Sequence, residues 1–132
     1  MYPITTVTTS LLSIILIIVS IKIIKLRREY KVSLGDNGHK DLERVIRAHG
    51  NFIEYTPITL ILMLCAEANQ AHWVILFILA LFFILGRALH AYAFIYNKTH
   101  FKFRVRGMIL TFSVILFLAV LNISLILFKV RG

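Results

Sequence analysis

Cysteine is almost absent: Cys65 stands alone in 132 residues, so no disulfide can form within the chain. Acidic residues are scarce too, six against fifteen Lys and Arg. Charged residues of both signs make up only 16% of the chain, while 59% is hydrophobic and mean hydropathy is +0.84. Soluble domains do not have that balance; integral membrane proteins do. There is no Pro- or Ser-rich linker, low-complexity segment or repeat, so residues 1–132 read as one domain. His39, His49, His72 and His100 lack metal-ligand spacing, and no metal is expected. A formal charge of +9 would suggest nucleic acid in a soluble chain. With this hydropathy it reflects topology and anion binding instead, and no nucleic-acid partner is expected.

What the sequence has in abundance is hydrocarbon. A bilayer core about 30 Å thick needs roughly 20 helical residues. Four segments fit, at about residues 4–26, 42–66, 72–96 and 106–128. The fold class is therefore all-α, an integral membrane four-helix bundle. The first segment reads as a retained spanning helix: its charges, Lys22, Lys25, Arg27 and Arg28, follow the apolar run instead of preceding it. Between the first two spans, "KVSLGDNGHKD" has turn composition, and Asp41 is the expected N-cap of the second helix. "EANQAH" lacks Lys and Arg, whereas "NKTHFKF" is basic. Thirteen of the fifteen basic residues flank the first and third connections, leaving Lys129 and Arg131 on the other side. The positive-inside rule then places both basic connections in the cytoplasm and both termini outside. Tyr30 and Tyr96 suit the inner interface, Tyr2 and Trp73 the outer.

The second span opens on "ERVIRAHGNFIEYTP" (residues 43–57). At about 100° per residue, Arg44, Arg47, Asn51, Glu54 and Tyr55 fall within an arc of about 100°, with His49 well outside it. Glu54 lies about 15 Å further along the axis than Arg44. Such a stripe must face other helices or a wet cavity, not lipid. Arg87, His90 and Phe94 form a smaller stripe on the third span, at the same end. Arg27 and Arg28 on the first span and Arg104 and Arg106 before the fourth bring further cations there. Arginine forks match carboxylates, Asn51 can donate and accept towards an amide, and Glu54 can receive an ammonium. This set suits a small anionic ligand such as glutathione. Each feature also has a plainer role: snorkelling for Lys22, Lys25, Lys31, Lys40 and Lys98, ion pairing within the bundle for Glu54, a satisfied core position for His90. Asn122 and Ser124 read as helix-packing residues, and Cys65 as inert.

"ERVIRAHGNFIEYTP" closely resembles the second-helix signature of the MAPEG family, the membrane-associated proteins in eicosanoid and glutathione metabolism. That signature has the form E-R-x-x-R-A-x-x-N-x-x-E-Y-x-P, and Glu43, Arg44, Arg47, Ala48, Asn51, Glu54, Tyr55 and Pro57 match it throughout. "LRREYKVSLGDNG" is similar to the first loop of small bacterial members, and "GRALHAYAF" to the third-helix R-x-x-H element. The likeness covers nearly the whole chain and is weakest at the fourth span. It implies a homotrimer of four-helix subunits, with glutathione as bound co-substrate between subunits near the cytoplasmic side. By position it implies Arg27, Arg47, Asn51, Glu54, Tyr55, Arg87 and His90 as glutathione-binding residues. Arg106, or alternatively Arg104, would stabilise the thiolate. Two positions depart from the pattern: Phe94 replaces a frequent tyrosine, and His49 a frequent glutamine.

The function expected on these grounds is a glutathione transferase or peroxidase of a bacterial inner membrane, acting on lipophilic electrophiles. Besides glutathione, its partners would be a lipophilic small-molecule substrate and membrane lipid. The alternative is a non-catalytic glutathione- or lipid-binding membrane protein, which the family also contains. A small channel or transporter is the third reading, motivated by Glu54 and His90 within the membrane. Its weakness is the nearly featureless outer half of every span.

Overall fold

Pro3 opens the first helix, where its fixed φ is already helical and its missing N–H costs no bond. The computed structural model describes residues 1–95 and 101–131 and builds four helices: α1 (Pro3–Tyr30), α2 (Lys40–Ala68), α3 (Trp73–Ile95) and α4 (Phe101–Arg131). The four helices stand where the four apolar segments were expected, and three of them, α1, α3 and α4, are long and apolar enough to cross a membrane. Although α2 is as long, at 29 residues, the polar stripe occupies its first half. Most of the expected third connection, and with it Tyr96 and Lys98, lies outside the described residues.

Several helix ends extend beyond the apolar runs. The largest difference is at α4, which begins at Phe101, so Arg104 and Arg106 lie within its first two turns and not before it. A helix need not stop where hydrocarbon stops, because interfacial water can satisfy its terminal backbone groups. Asp41 is likewise inside the first turn of α2, and His39 holds the N-cap position. Asp41 does something else: Oδ1 accepts from the Leu42 N–H at 2.9 Å and Oδ2 from the Tyr30 hydroxyl at 2.6 Å. The Tyr30 ring stacks on His39 at 3.9 Å, so three residues clip the first connection shut. The Tyr30 hydrogen bond holds the Asp41 carboxyl below its usual range, and the same bond raises the phenol.

Helix α1 ends in a Schellman turn. Lys31 is left-handed, with φ of 54°, and the Val32 N–H reaches back to the Arg27 carbonyl at 2.9 Å. Val32 then buries its side chain beneath the turn. At the other end of α1 no side chain of its own caps the helix. Glu67, from the end of α2, performs that task. Its two oxygens accept from the Ile4 and Thr5 N–H groups at 2.9 Å each, placing a carboxylate on the positive end of the helix. Burial works to raise the Glu67 carboxyl, but the hydrogen bonds from Thr5 and Ile4 and the N-terminal charge outweigh it and leave it lowered.

The helices pack with α2 and α3 in the middle and α1 and α4 at the flanks; among the described residues the backbones of α1 and α4 do not come close to each other. One core joins Leu12, Phe52, Met63, Leu76, Phe83 and Leu118. A second, nearer the basic end, joins Val19, Leu26, Leu42, Val45, Ala91 and Phe94. The outward faces are apolar as well, with Ile14, Ile17, Phe77, Phe82, Leu116 and Phe117 all exposed, as bilayer contact requires. Hydroxyls on α1 survive there by bonding back one turn, Thr6 to the Tyr2 carbonyl and Ser13 to that of Thr9. Asn122 ties α4 to α2 at the end away from the basic connections, donating to the Leu62 carbonyl of α2 at 2.9 Å.

The closest crossing is between α3 and α4, at Gly86 and Gly107. A Cβ added to Gly107 would lie 2.7 Å from the Gly86 carbonyl oxygen and 3.0 Å from His90 Cβ. Small residues let the two backbones meet. This crossing sets the first turns of α4 against His90 and Phe94, which is how the functional end is assembled.

Candidate functional site

At the basic end, α2, α3 and α4 enclose an open cavity of about 600 Å³. The polar stripe of α2 forms one wall: Arg47, Asn51 and Glu54 line it, with Gly50 between them. The α3 wall is His90 and Phe94, and the α4 wall includes Arg104, Met108 and Phe112. Of the five residues on the expected arc of α2, Arg47, Asn51 and Glu54 line the cavity, and Arg44 and Tyr55 do not.

Each polar group is held in its own way. Arg47 Nε donates to Glu43 Oε1 one turn back, at 3.1 Å, in an ion pair that is exposed on both sides and so contributes little stability. The Arg104 guanidinium lies over the Phe94 ring, 4.2 Å from its centre, a cation–π contact that holds the charge at the cavity wall. His90 is 3% exposed, its ring centre is 4.9 Å from that of Phe94, and its Nδ1 has no partner among the described residues. Glu54 is exposed part-way along α2, and no ion pair reaches it among the described residues. Tyr55 meets Phe112 edge to face at 5.3 Å, at the level where the cavity turns apolar.

Arg87 does not line the cavity. It is fully buried behind it, where NH1 donates to Asn51 Oδ1 at 3.3 Å and the guanidinium lies 5.1 Å from the Phe52 ring centre. Arg27 is also elsewhere: its NH1 bonds the Ser33 carbonyl on the flank away from α4. Arg106 is exposed and outside the wall, because two residues turn a helix by about 200° from Arg104. Arg47, Asn51, Glu54, His90 and Arg104 are therefore brought together within one protomer, with Tyr55 at the margin. Among the described residues no group of acidic, His or Cys side chains forms a metal site.

Sequence reasoning missed the apolar part of the wall. Its signal was present: Arg104, Met108 and Phe112 recur every four residues, which puts them on one face of α4. The chemistry of the whole is mixed. Cations, an amide and a carboxylate meet at one end of a cavity whose remaining walls, Val105, Ile109 and Phe112, are hydrocarbon. It can hold a small polar anion and admit an apolar molecule beside it.

A sequence profile describing the MAPEG family matches residues 5–124. The inner membrane protein YecN of Escherichia coli K12 is 36% identical over 104 residues, covering 79% of this chain and 78% of the relative. YecN of Escherichia coli O6:H1 matches equally, at 36% over the same length.

Proposed function

This chain belongs to the MAPEG family of membrane proteins, and from that premise we propose that it is a glutathione-dependent membrane enzyme. It joins glutathione to lipophilic electrophiles, or reduces lipophilic peroxides with it. The observation that carries this reading is the cavity itself, in which Arg47, Asn51, Glu54 and Arg104 converge from two helices. Glutathione carries two carboxylates, an ammonium, two amides and a thiol. Arg47 suits a carboxylate, Asn51 a carbonyl or carboxylate oxygen, and Glu54 the ammonium.

Arg104 is the arginine for the sulfur. It stands in the wall with its guanidinium over the Phe94 ring, whereas Arg106 lies outside the wall. A guanidinium beside the thiol favours the thiolate by Coulomb attraction in a poorly hydrated site. A shift of two pKa units from about 8.5 leaves bound thiol mostly ionised at pH 7 and corresponds to about 2.7 kcal/mol. The apolar wall next to Arg104 seats the electrophile, which the bilayer concentrates, and holding both reactants together lowers the entropic barrier. The thiolate then attacks the electrophilic carbon and its leaving group departs with the bonding pair. In the peroxidase form it attacks a peroxide oxygen, the O–O bond breaks, and the alkoxide leaves and takes a proton from water. A second glutathione converts the resulting sulfenic acid to glutathione disulfide and water.

Assembly as a homotrimer completes the proposal. A carboxylate at Glu54 facing lipid would be costly, so its exposure in one protomer supports a covering copy, whose α1 brings Arg27 to the site. With the basic connections cytoplasmic, the cavity opens to the cytoplasm, both termini lie outside, and the membrane is a bacterial inner membrane, like that named for YecN. The test is turnover by purified protein against a panel of lipophilic electrophiles and hydroperoxides. At pH 7 Arg104→Ala is expected to lower kcat about 25-fold, the fall in thiolate fraction when a pKa of about 6.5 returns to about 8.5, and Arg106→Ala to change it less than threefold. No turnover by the wild type on any substrate refutes catalysis.

A second reading has its own support. Phe94 supplies no hydroxyl to the cavity, and its face is already covered by Arg104. A non-catalytic glutathione-binding protein would bind glutathione with measurable affinity and turn over nothing.

A further inference from the structure

Arg87 is a full guanidinium with no exposed surface, in a helix long and apolar enough to cross a membrane. A buried charge of this kind needs partners. Among the described residues it has one oxygen, Asn51 Oδ1 at 3.3 Å, and a sulfur, Met108 Sδ at 4.0 Å; Nε and NH2 have no hydrogen-bond partner. Phe52 supplies its ring face from the next position of α2. Consecutive α2 residues therefore hold one α3 side chain, and Asn51 is the one that also lines the cavity.

A side-chain amide has two ends, and Arg87 occupies one of them. A guanidinium only donates, so the amide must turn its oxygen inward and its NH₂ outward. We propose that Arg87 is a positioning residue that makes Asn51 a donor only, so that this point of the cavity recognises an acceptor, a carboxylate or carbonyl oxygen of the ligand. This rests on the glutathione reading of the cavity. It reassigns Arg87 from ligand contact to orientation of the contact. It also narrows Asn51, which by residue type alone could equally accept from an amide N–H. The fixed orientation matters because an amide free to flip would offer the ligand its oxygen half the time, and would have to be ordered on binding.

The test is a double-mutant cycle on full-length protein in detergent, with reduced glutathione titrated by calorimetry into wild type, Arg87→Met, Asn51→Ala and the double variant. Expected is a loss of roughly tenfold for each single variant, with the double variant no weaker than Asn51→Ala, because a residue acting through Asn51 has nothing left to act on. Losses that multiply in the double variant, or full affinity in Arg87→Met, overturn the proposal. Asn51→Asp separates binding from folding. It keeps an acceptor for Arg87 but cannot donate, so thermal stability is expected to hold while glutathione affinity falls at least tenfold. Wild-type affinity in Asn51→Asp overturns it. If wild type itself does not bind glutathione, the functional reading fails by itself, and the cycle is read in thermal midpoints: non-additive losses sustain the Arg87–Asn51 orientation, and additive ones overturn it.

Discussion

Replacing Gly107 with alanine places a methyl 2.7 Å from the Gly86 carbonyl oxygen, 3.0 Å from His90 Cβ and 3.1 Å from the His90 nitrogen. Two of those three neighbours are backbone, so no side-chain rotation relieves the clash. Reaching ordinary contact at 3.4 Å requires α4 to withdraw by about 0.7 Å. Overpacking of this kind costs about 1–3 kcal/mol. Alanine returns up to about 1 kcal/mol of helix propensity, leaving a net loss of up to about 2 kcal/mol. Gly50→Ala is the internal control. It is also mid-helix, but nothing lies within 4 Å of its added Cβ, so the propensity gain of up to about 1 kcal/mol stands alone. The two variants are compared by the midpoint of thermal loss of helical circular dichroism in one detergent, at roughly 4 °C per kcal/mol for a chain of this size. Gly107→Ala is expected up to several degrees below wild type and Gly50→Ala slightly above it. Because Arg104 and Met108 flank Gly107, the withdrawal of α4 is also expected to weaken ligand binding. A Gly107→Ala protein as stable as Gly50→Ala would refute the close crossing, and with it the reason α4 reaches the cavity.

Glu67→Gln removes the charge from the α1 N-terminus and is expected to cost about 1 kcal/mol in thermal stability. The wild-type contribution is present above the unfolded carboxyl value of 4.5 and is lost as pH falls through the lower folded value. The difference between the two proteins should therefore shrink below pH 4.5. Lys31→Gly relieves a left-handed φ of 54° and is expected to stabilise by about 0.5–1 kcal/mol, measured the same way. Asn122→Ala removes the bond from α4 to the Leu62 carbonyl and is expected to cost about 1 kcal/mol. No change would mean that contact carries no net stability.

The apolar runs announced the four helices because a membrane allows few other backbones, and the α2 stripe announced the cavity because charged groups so deep cannot face lipid. What lay hidden depended on distant partners. "EANQAH" reads as a short connection without Lys or Arg, and nothing local shows that Glu67 reaches the Ile4 and Thr5 amides of another helix. Asp41 suits an N-cap by type, but its partner Tyr30 comes from α1. The choice between Arg104 and Arg106 needs the register of α4, which depends on where that helix begins. Gly86 and Gly107 could have been noticed as small residues inside apolar helices, although their facing each other is a tertiary fact. Arg87 shares an arc with His90, yet only the packing of Phe52 and Asn51 around it separates a buried charge from a wall residue.

The central claim, that the cavity holds glutathione and ionises its thiol, is tested most directly by titrating reduced glutathione into purified protein and following ultraviolet thiolate absorbance. Saturable binding is expected, with a thiolate band at pH 7 that Arg104→Ala abolishes and Arg106→Ala retains. Absence of saturable binding, or a thiolate band indifferent to Arg104, would contradict the account.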